Sequence, residues 1–487
     1  MPPDSSELIS EFPDPETRNS QKRTIRRPSK KRWLFVPIFA FFDALLWILI
    51  YFGGFYATGG HNVVTLSVIL LPLGILIVAM ALIGGYRYKM DFASVRYASE
   101  HLIACGVAYA AASFFLYIVT SFGPNPTSSR AIFTTSFVLF AIAALLLRRF
   151  YWFKASSFRA QGKFLVIADD KLGPIFHRDY KASGLHQQVS YVAANKELRG
   201  KLLAGEGSPM LFLEVSHILP HLNSEDMIDY EAIVVATDLD HLDPKVASRL
   251  AVIHFDELPV YTMDSFYENY WVRIPLQILR PAWPIETEFL LVQHSVYASL
   301  KRLIDFLVAV LLLILAAPIM GIVMVLIMIL DGRPVIFSQQ RVGIHGRPFT
   351  LYKFRSMKVG SDKGDEYTRE KDSRVTALGT FLRKTRIDEL PQLWNVLRGD
   401  MSMIGPRAEW TRLVEGYEKE IHHYHFRHLV RPGITGWAQV NYPYGASLED
   451  ARMKFSYDLY YIRNFSLNLD AEVLLKTLHV VAFGKGR

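Results

Sequence analysis

Residues Lys301–Leu330 read KRLIDFLVAVLLLILAAPIMGIVMVLIMIL. Beyond Asp305 the run carries no charge, and it exceeds the ~20 residues that a membrane-spanning helix needs. Both flanks are basic: Lys301 and Arg302 precede it, and Arg333, Arg341, Arg347, Lys353, Arg355 and Lys358 follow. Lys and Arg concentrate on the cytoplasmic side of membranes. Both ends therefore belong in the cytoplasm, whereas one simple crossing would separate them. Pro318 lies near the middle, lacks a backbone donor and can kink a helix. The segment is expected to enter the bilayer, break at Pro318 and turn back; the alternative is a straight, kinked fifth span.

Upstream lie four shorter apolar runs: Trp33–Phe52, Val63–Ile83, Leu102–Ser121 and Ala131–Leu147. Each is near spanning length. Loop 53–62 has no Lys or Arg, loop 122–130 has only Arg130, and Arg87, Lys89, Arg96, Arg148, Arg149 and Lys154 mark the other side. Both ends of this bundle are thus expected in the cytoplasm. Residues 1–31 are Pro- and Ser-rich and end in QKRTIRRPSKKR. They read as a disordered basic N-terminus on anionic headgroups, and not as a cleavable signal, because the first apolar run starts too late.

The whole chain has 487 residues, 51% hydrophobic, with a formal charge of +8. That mixture suits membrane and soluble parts together. The charge suits anionic lipid and phosphate substrates; no nucleic-acid motif is present. The single cysteine, Cys105, excludes an intrachain disulfide and reads as a small buried hydrophobe.

Residues 160–285 alternate strand-like and helical stretches. KFLVIADD, QQVSYVAA, MLFLEVS and YEAIVVATD are short buried-strand patterns. This predicts a Rossmann-like α/β domain with a parallel sheet. A dinucleotide site would need a glycine fingerprint after the first strand. The chain reads VIADDKLGPIF there, with only Gly173, so a structural or regulatory domain is expected. Asp169 and Asp170 are read as loop acids.

The last part is α-rich, with helices expected near Leu390–Arg398, Glu409–His428 and Leu448–Tyr461 and a strand at FTLYKF. It contains RKTRIDELPQLWNVLRGDMSMIGPR, in which Asp388 and Glu389 sit among Arg383, Lys384, Arg386, Arg398 and Arg407. Proline is tolerated only in a helix's first turn, so Pro391 sets the two acids at or just before a helix N-terminus, where free N–H groups favour anions. Ionised carboxylates can bind a divalent cation or attack phosphorus, and arginines grip phosphate oxygens in pairs. Phosphoryl transfer needs that set.

The apolar run with its leading Lys-Arg, QQRVG…GRPF…YKFRSM, LRKTRIDELPQLWNVLRGDMSMIGPR and VRPGITGWAQVN together resemble the bacterial sugar transferases, the monotopic polyprenyl-phosphate hexose-1-phosphate transferases. The resemblance is dense over residues 297–487, and the upstream spans and α/β domain resemble the family's long form. It implies four parts: residues 1–31; a four-helix transmembrane bundle at 32–150; the middle domain at 160–285; and a C-terminal catalytic domain at 297–487 with a re-entrant membrane helix at 303–330. It implies a multi-pass protein of the bacterial inner membrane with its catalytic domain in the cytoplasm, starting exopolysaccharide or O-antigen repeat units. Asp388 would attack the β-phosphorus of a UDP-sugar, UMP would leave, and undecaprenyl phosphate would take the sugar phosphate from the aspartate. Mg²⁺ at Asp388 would neutralise the diphosphate, and Glu389 would assist metal or acceptor positioning. Arg383 matches the family's essential arginine. Lys353, Arg355, Arg407 and Arg431 are candidate phosphate or nucleotide contacts. Lys301, Arg302 and Pro318 match the headgroup anchor and helix break. Ala317 stands where the family often has serine, which removes one way to satisfy backbone groups freed by a kink.

Other patterns have plainer readings. His422, His423, His425 and His428 lack the companions of a zinc set. Arg398-Gly399-Asp400 is a turn, and Trp437, Tyr442, Tyr444, Tyr457, Tyr460 and Tyr461 are mostly core. Two rival functions are an idle scaffold for polysaccharide assembly proteins, opposed by the intact dyad, and a sugar oxidoreductase, opposed by the missing glycine fingerprint. Glucose and galactose are the expected sugars. The middle domain has no evident catalytic duty and would suit a homodimer.

Overall fold

The computed structural model describes residues 35–57, 66–83, 85–86, 92–122, 130–156, 162–183, 185, 187–203, 208–211, 213–218, 230–256, 258–279, 283, 296–361, 373–442, 445 and 447–483. The basic N-terminus expected at 1–31 lies outside them. Two compact units are distinguished. The first takes in residues 1–92 and 101–149, the second residues 93–100 and 150–487.

The apolar runs of the first unit form α1 (Phe35–Ala57), α2 (Leu66–Leu82), α3 (Val95–Phe122) and α4 (Arg130–Ser156). α1, α3 and α4 are long and apolar enough to cross a membrane, and α2 contributes a shorter apolar stretch, Ile69–Leu82. Both α3 and α4 extend past the expected apolar runs, because polar turns continue the helices. Trp47 on α1 donates its indole N–H to the Ile69 carbonyl of α2 at 3.1 Å and packs edge-on against Phe137 of α4. One charge pair is buried here: Arg148 donates to both oxygens of Asp43, at 2.9 and 2.6 Å. Charges at membrane depth persist when they are paired in this way.

In the second unit, four parallel strands lie in the order β2-β1-β3-β4: β1 (Lys163–Ala168), β2 (Gln188–Ala193), β3 (Tyr230–Ala236) and β4 (Val260–Thr262). The inner strands are apolar along their length because both faces are covered. α5 (Leu172–Ala182) and α6 (Pro244–Asp256) provide the crossovers. Two strand expectations change. MLFLEVS forms no full ladder strand: Leu203 N–H and Leu211 N–H bond to Pro209 O and Lys201 O, Ala193 N–H of β2 bonds to Leu213 O at 2.8 Å in a single parallel bridge, and Val215 then opens a short helical turn. The fourth strand is Val260–Thr262, too short to stand out in the sequence. At the head of α5, Asp169 accepts from the Lys171 and Leu172 amides at 2.9 and 2.6 Å. An incoming phosphate would have to displace that carboxylate.

A connecting stretch fastens the sheet to the C-terminal part. Val272 adopts left-handed backbone, φ 48°, and its carbonyl accepts the Trp437 indole N–H at 2.8 Å. Ile274 N–H donates to Ser456 O at 3.1 Å.

The long apolar segment is one helix, α7 (Val296–Leu330), with Pro318 inside it. The expected interruption at Pro318 does not occur: the helix continues through the proline, as it can where neighbouring groups take up the freed carbonyl. Near one end Ala309 shares an apolar cluster with Leu351, Leu393, Val396 and Met401. Near the other, Val323 and Ile327 join Phe354 and Leu382. Leu351 and Phe354 belong to one strand, β6 (Pro348–Phe354), which pairs antiparallel with β5 (Ile336–Val342). Both halves of α7 therefore lean on the same small body. Its opposite face, including Leu307, Leu311, Ile314, Leu315 and Ile322, is exposed and apolar.

The main elements that follow are α8 (Ala377–Thr385), α9 (Gln392–Arg398), β7 (Ser402–Ile404), α10 (Thr411–Glu420), β8 (Gly433–Thr435), α11 (Leu448–Arg463) and α12 (Leu467–Phe483). The helix expected over Glu409–His428 is divided. Ile421 is extended and His423 left-handed, φ 63°, so α10 stops and a 3₁₀ turn follows.

Candidate active site

The Asp388–Glu389 pair owes its position to a sharp reversal between two helices. Thr376 caps α8, its hydroxyl accepting the Gly379 N–H at 2.9 Å. Gly379 lies so close to strand-end Ser356 that an added Cβ would fall 2.0 Å from the Ser356 carbonyl oxygen. Arg386 then takes left-handed backbone, φ 60°, and ends the helix. A 3₁₀ turn, Ile387–Glu389, carries the two acids, and Pro391 caps α9 immediately after. The dyad thus precedes a helix start, as Pro391 suggests.

Both carboxylates are buried, Asp388 at 7% and Glu389 at 8% exposure, but their surroundings differ. Glu389 Oε1 accepts from Lys353 Nζ at 3.1 Å and lies 3.5 Å from Arg386 Nη1 and 3.8 Å from Arg407 Nη1. Burial alone would raise its pKa; Lys353, Arg407 and Arg386 outweigh burial and bring it to about 2. Asp388 Oδ1 is buried with no hydrogen-bond partner. Burial raises the Asp388 pKa, the neighbouring Glu389 adds to this, and Lys353, Arg383 and Arg386 do not overcome it. Burial also lowers the pKa of Lys353. Arg383 is oriented by a bond from Nε to the Ser356 hydroxyl, 2.9 Å. A small pit lined by Arg341, Lys353, Gln392 and Arg407 shares two of its cations with Glu389.

Asp388, Glu389, Lys353, Arg383 and Arg407 therefore gather in one place. The other expected contacts do not join them. Arg355 Nη2 donates to Asp331 O and Gly332 O, at 2.6 and 2.8 Å, just past the end of α7. Arg431 Nε donates to Gly399 O at 3.0 Å, at the end of α9 opposite the dyad. Arg302 is there too, donating to Val396 O and Leu397 O at 2.6 and 2.9 Å. Both arginines meet the negative end of the α9 dipole. Lys301 binds Asp470 of α12 in the interior. Lys301 and Arg302 thus each have partners within the protein. Their charge type is legible in the sequence; which carbonyls they reach is not.

Several contributors escape sequence reasoning. Asn395 is fully buried; its amide donates to Thr350 O at 2.7 Å, and its oxygen accepts from Tyr352 N–H at 3.2 Å, which locks α9 to the strand carrying Lys353. Asp305, in the first turns of α7, accepts from Ser402 Oγ at 2.6 Å and Met403 N–H at 3.2 Å. Arg386 and Arg341, both legible in the sequence as nearby cations, complete the cationic surround. An aspartate within an apolar helix was the available signal for Asp305; Asn395 gave none.

The unpartnered Asp388 oxygen suits a cation. Among the described residues no three His, Cys, Asp or Glu side chains group closely enough to hold a metal alone. A divalent ion here would need ligands from a phosphate substrate and water as well. A buried acid of raised pKa beside a cation-locked acid, with a basic pit adjoining, is suited to charge transfer at phosphorus.

Residues 296–484 match the family described as bacterial sugar transferase. Among curated proteins, a UDP-N-acetylgalactosamine-undecaprenyl-phosphate N-acetylgalactosaminephosphotransferase of Aeromonas hydrophila is 41% identical over 261 residues, 53% of this chain and 60% of the relative. A UDP-glucose:undecaprenyl-phosphate glucose-1-phosphate transferase of Xanthomonas campestris pv. campestris is 45% identical over 189 residues, 38% of this chain and 39% of the relative. A protein named uncharacterized sugar transferase EpsL, of Bacillus subtilis, is 43% identical over 189 residues that make up 89% of its length. The match thus spans 60% and 39% of the first two relatives.

Proposed function

The chain belongs to the bacterial sugar transferase family, and on that premise we propose that it transfers a sugar 1-phosphate from a UDP-sugar to undecaprenyl phosphate. The observation that carries this reading is the buried Asp388 with its unpartnered oxygen, next to a Glu389 held by three cations. In the proposed first step, an ionised Asp388 oxygen bonds to the β-phosphorus and the bond to the bridging oxygen breaks. UMP leaves with that electron pair, and a sugar phosphate stays on Asp388. In the second, a phosphate oxygen of undecaprenyl phosphate attacks the same phosphorus and frees the carboxylate. Lys353, Arg383 and Arg407 hold phosphoryl oxygens, and Glu389 keeps Lys353 and Arg407 aimed. Mg²⁺ would be held by Asp388 together with the diphosphate and would supply charge neutralisation. The donor is a UDP-linked hexose or N-acetylhexosamine; the relatives' names divide between these.

The membrane part of the proposal rests on α7. Its two halves share apolar clusters with one strand, β6, which supports an insertion with both flanks on the cytoplasmic side. Phe381 on α8 and Trp394 on α9 are exposed on either side of the dyad turn, as aromatic residues at a lipid interface are. Such a site would meet a lipid acceptor and a water-soluble donor at once. Polysaccharide assembly proteins and a second copy of the chain are proposed partners.

The test is UMP release by detergent-purified protein given Mg²⁺, undecaprenyl phosphate and a panel of UDP-sugars, with Asp388→Asn in parallel. Mass spectrometry of acid-quenched enzyme should find a sugar phosphate on the peptide containing Asp388. Release from no donor by folded protein sinks the enzyme reading. Release that survives Asp388→Asn removes the covalent step.

A further inference from the structure

Behind the cationic pit lies a buried charge cluster that takes no direct part in the proposed chemistry. Arg427 is 4% exposed. Its Nη2 donates to the backbone carbonyl of Arg407 at 3.1 Å and to Asp458 Oδ2 at 2.8 Å. Its Nη1 donates to the Tyr424 hydroxyl and lies 3.9 Å from Glu409 Oε1. The other Glu409 oxygen lies 4.0 Å from Arg341 Nη1, and Arg341 in turn donates to the Ala408 carbonyl at 3.1 Å. Consecutive carbonyls, those of Arg407 and Ala408, are therefore gripped by two different arginines. Glu409, the next residue, lies between the two guanidiniums.

Packing does not account for this arrangement. Desolvating two arginines and two carboxylates opposes folding, and apolar residues of similar size commonly stabilise as well or better. What apolar residues could not do is hold a main-chain carbonyl and two acids in one plane, which the guanidinium fork does. The consequence appears at the front of the site. The Arg407 side chain reaches Glu389, and Arg341 and Arg407 both line the pit.

We propose that Arg427 is a positioning residue for donor binding: by holding the Arg407 carbonyl against Asp458 and Glu409, it aims Arg407 and Arg341 at the diphosphate of the UDP-sugar. This rests on the donor reading given above. Arg427 touches no substrate and acts through its two neighbours.

The experiment measures UMP release against UDP-sugar concentration with the full-length protein in detergent. Arg427→Lys keeps the charge and loses the fork. It should raise the donor KM about tenfold and leave kcat within about twofold, the pattern of lost ground-state binding. The double variant Arg427→Met/Asp458→Asn removes the acid that Arg427 bonds directly, leaves Glu409 with Arg341, and should show the same KM rise. A role confined to stability would lower the active fraction, and so kcat, at unchanged KM; that result in both variants overturns the proposal while the donor reading stands. Wild-type protein that releases no UMP from any donor overturns the reading, and this inference with it.

Discussion

Asp388 and Glu389 are neighbours in a single 3₁₀ turn, yet one is held by three cations and the other has a buried oxygen that nothing meets. The turn makes this possible, because successive side chains on it diverge. Glu389 points back towards Lys353 on β6 and Arg407 beyond β7. Two like acids in different environments can divide their roles: in the proposed mechanism Glu389 stays charged as an anchor for the cations, and Asp388 supplies the attacking oxygen.

This division has a stability signature at Asp388. Its pKa is raised by burial, so ionisation opposes folding, and the favourable contribution of the neutral acid is lost as pH rises through the folded pKa. Asp388→Asn should therefore be more thermostable than wild type at neutral pH, by about 1–3 °C, while losing UMP release. Wild-type turnover should fall on acidification, through a pKa above that of an ordinary aspartate. Differential scanning fluorimetry of both proteins from pH 5 to pH 8 checks the first point. Equal or lower melting of the variant at every pH would mean that Asp388 is not strained by its burial.

Glu389 has the opposite sign. Its pKa is brought to about 2, so its contribution is complete above the ordinary carboxylate range and is lost only as pH falls towards that value. Glu389→Gln should destabilise by about 3 kcal/mol at neutral pH, the usual result of leaving buried charges without a partner. Inorganic pyrophosphate should raise the melting temperature of this variant more than that of wild type, since an anion bound only by the folded state stabilises it. Denaturant midpoints with and without pyrophosphate decide it; identical midpoints for the two proteins would refute the anchoring role.

Asn395 links the dyad helix to the strand that carries Lys353. Replacing it with alanine leaves the Thr350 carbonyl and the Tyr352 amide without their partner. The expected loss is about 2–4 kcal/mol, accompanied by weaker donor binding as Lys353 loses its register. Chemical denaturation and donor KM, measured on one preparation, test both parts. A stable Asn395→Ala with an unchanged KM would show that α9 and β6 are held together by other means.

What the sequence discloses follows from which interactions are local. The apolar runs are legible because lipid imposes a length, and β1 and β3 because burial on both faces makes them continuously apolar. Pro391 discloses the helix start beside the dyad because proline's constraint acts within one turn. Val260–Thr262 is hidden because three residues carry no pattern, and MLFLEVS is overread because its apolar residues serve a local hairpin and only one bridge to β2. Arginine targets are the least legible part. Arg355 and Arg431 read as phosphate contacts and Arg302 as a headgroup anchor, and each meets carbonyls at or near a helix end, 24, 32 and 94 residues away along the chain. Nothing in composition separates a carbonyl from a phosphate as the partner of a guanidinium.

The membrane disposition of α7 gives the last prediction. A straight helix of its length would measure about 50 Å, against a hydrocarbon core of ~30 Å. Ala309 and Val323 are ~21 Å apart along such a helix, yet each shares a cluster with residues of β6 that are ~10 Å apart. If α7 crossed the bilayer, one of these clusters would be carried into lipid or to the far side, together with the strand bearing Lys353. Sidedness can be read chemically, because Cys105 is the only cysteine. In a Cys105→Ala background, Ser299→Cys and Ser338→Cys place exposed thiols in the first turn of α7 and beyond its end, on either side of the apolar stretch. An impermeant maleimide should label both in inverted inner-membrane vesicles and neither in right-side-out ones. Labelling of the two thiols from opposite sides would establish a true span, and the proposed meeting of lipid acceptor and soluble donor at one cytoplasmic face would have to be abandoned.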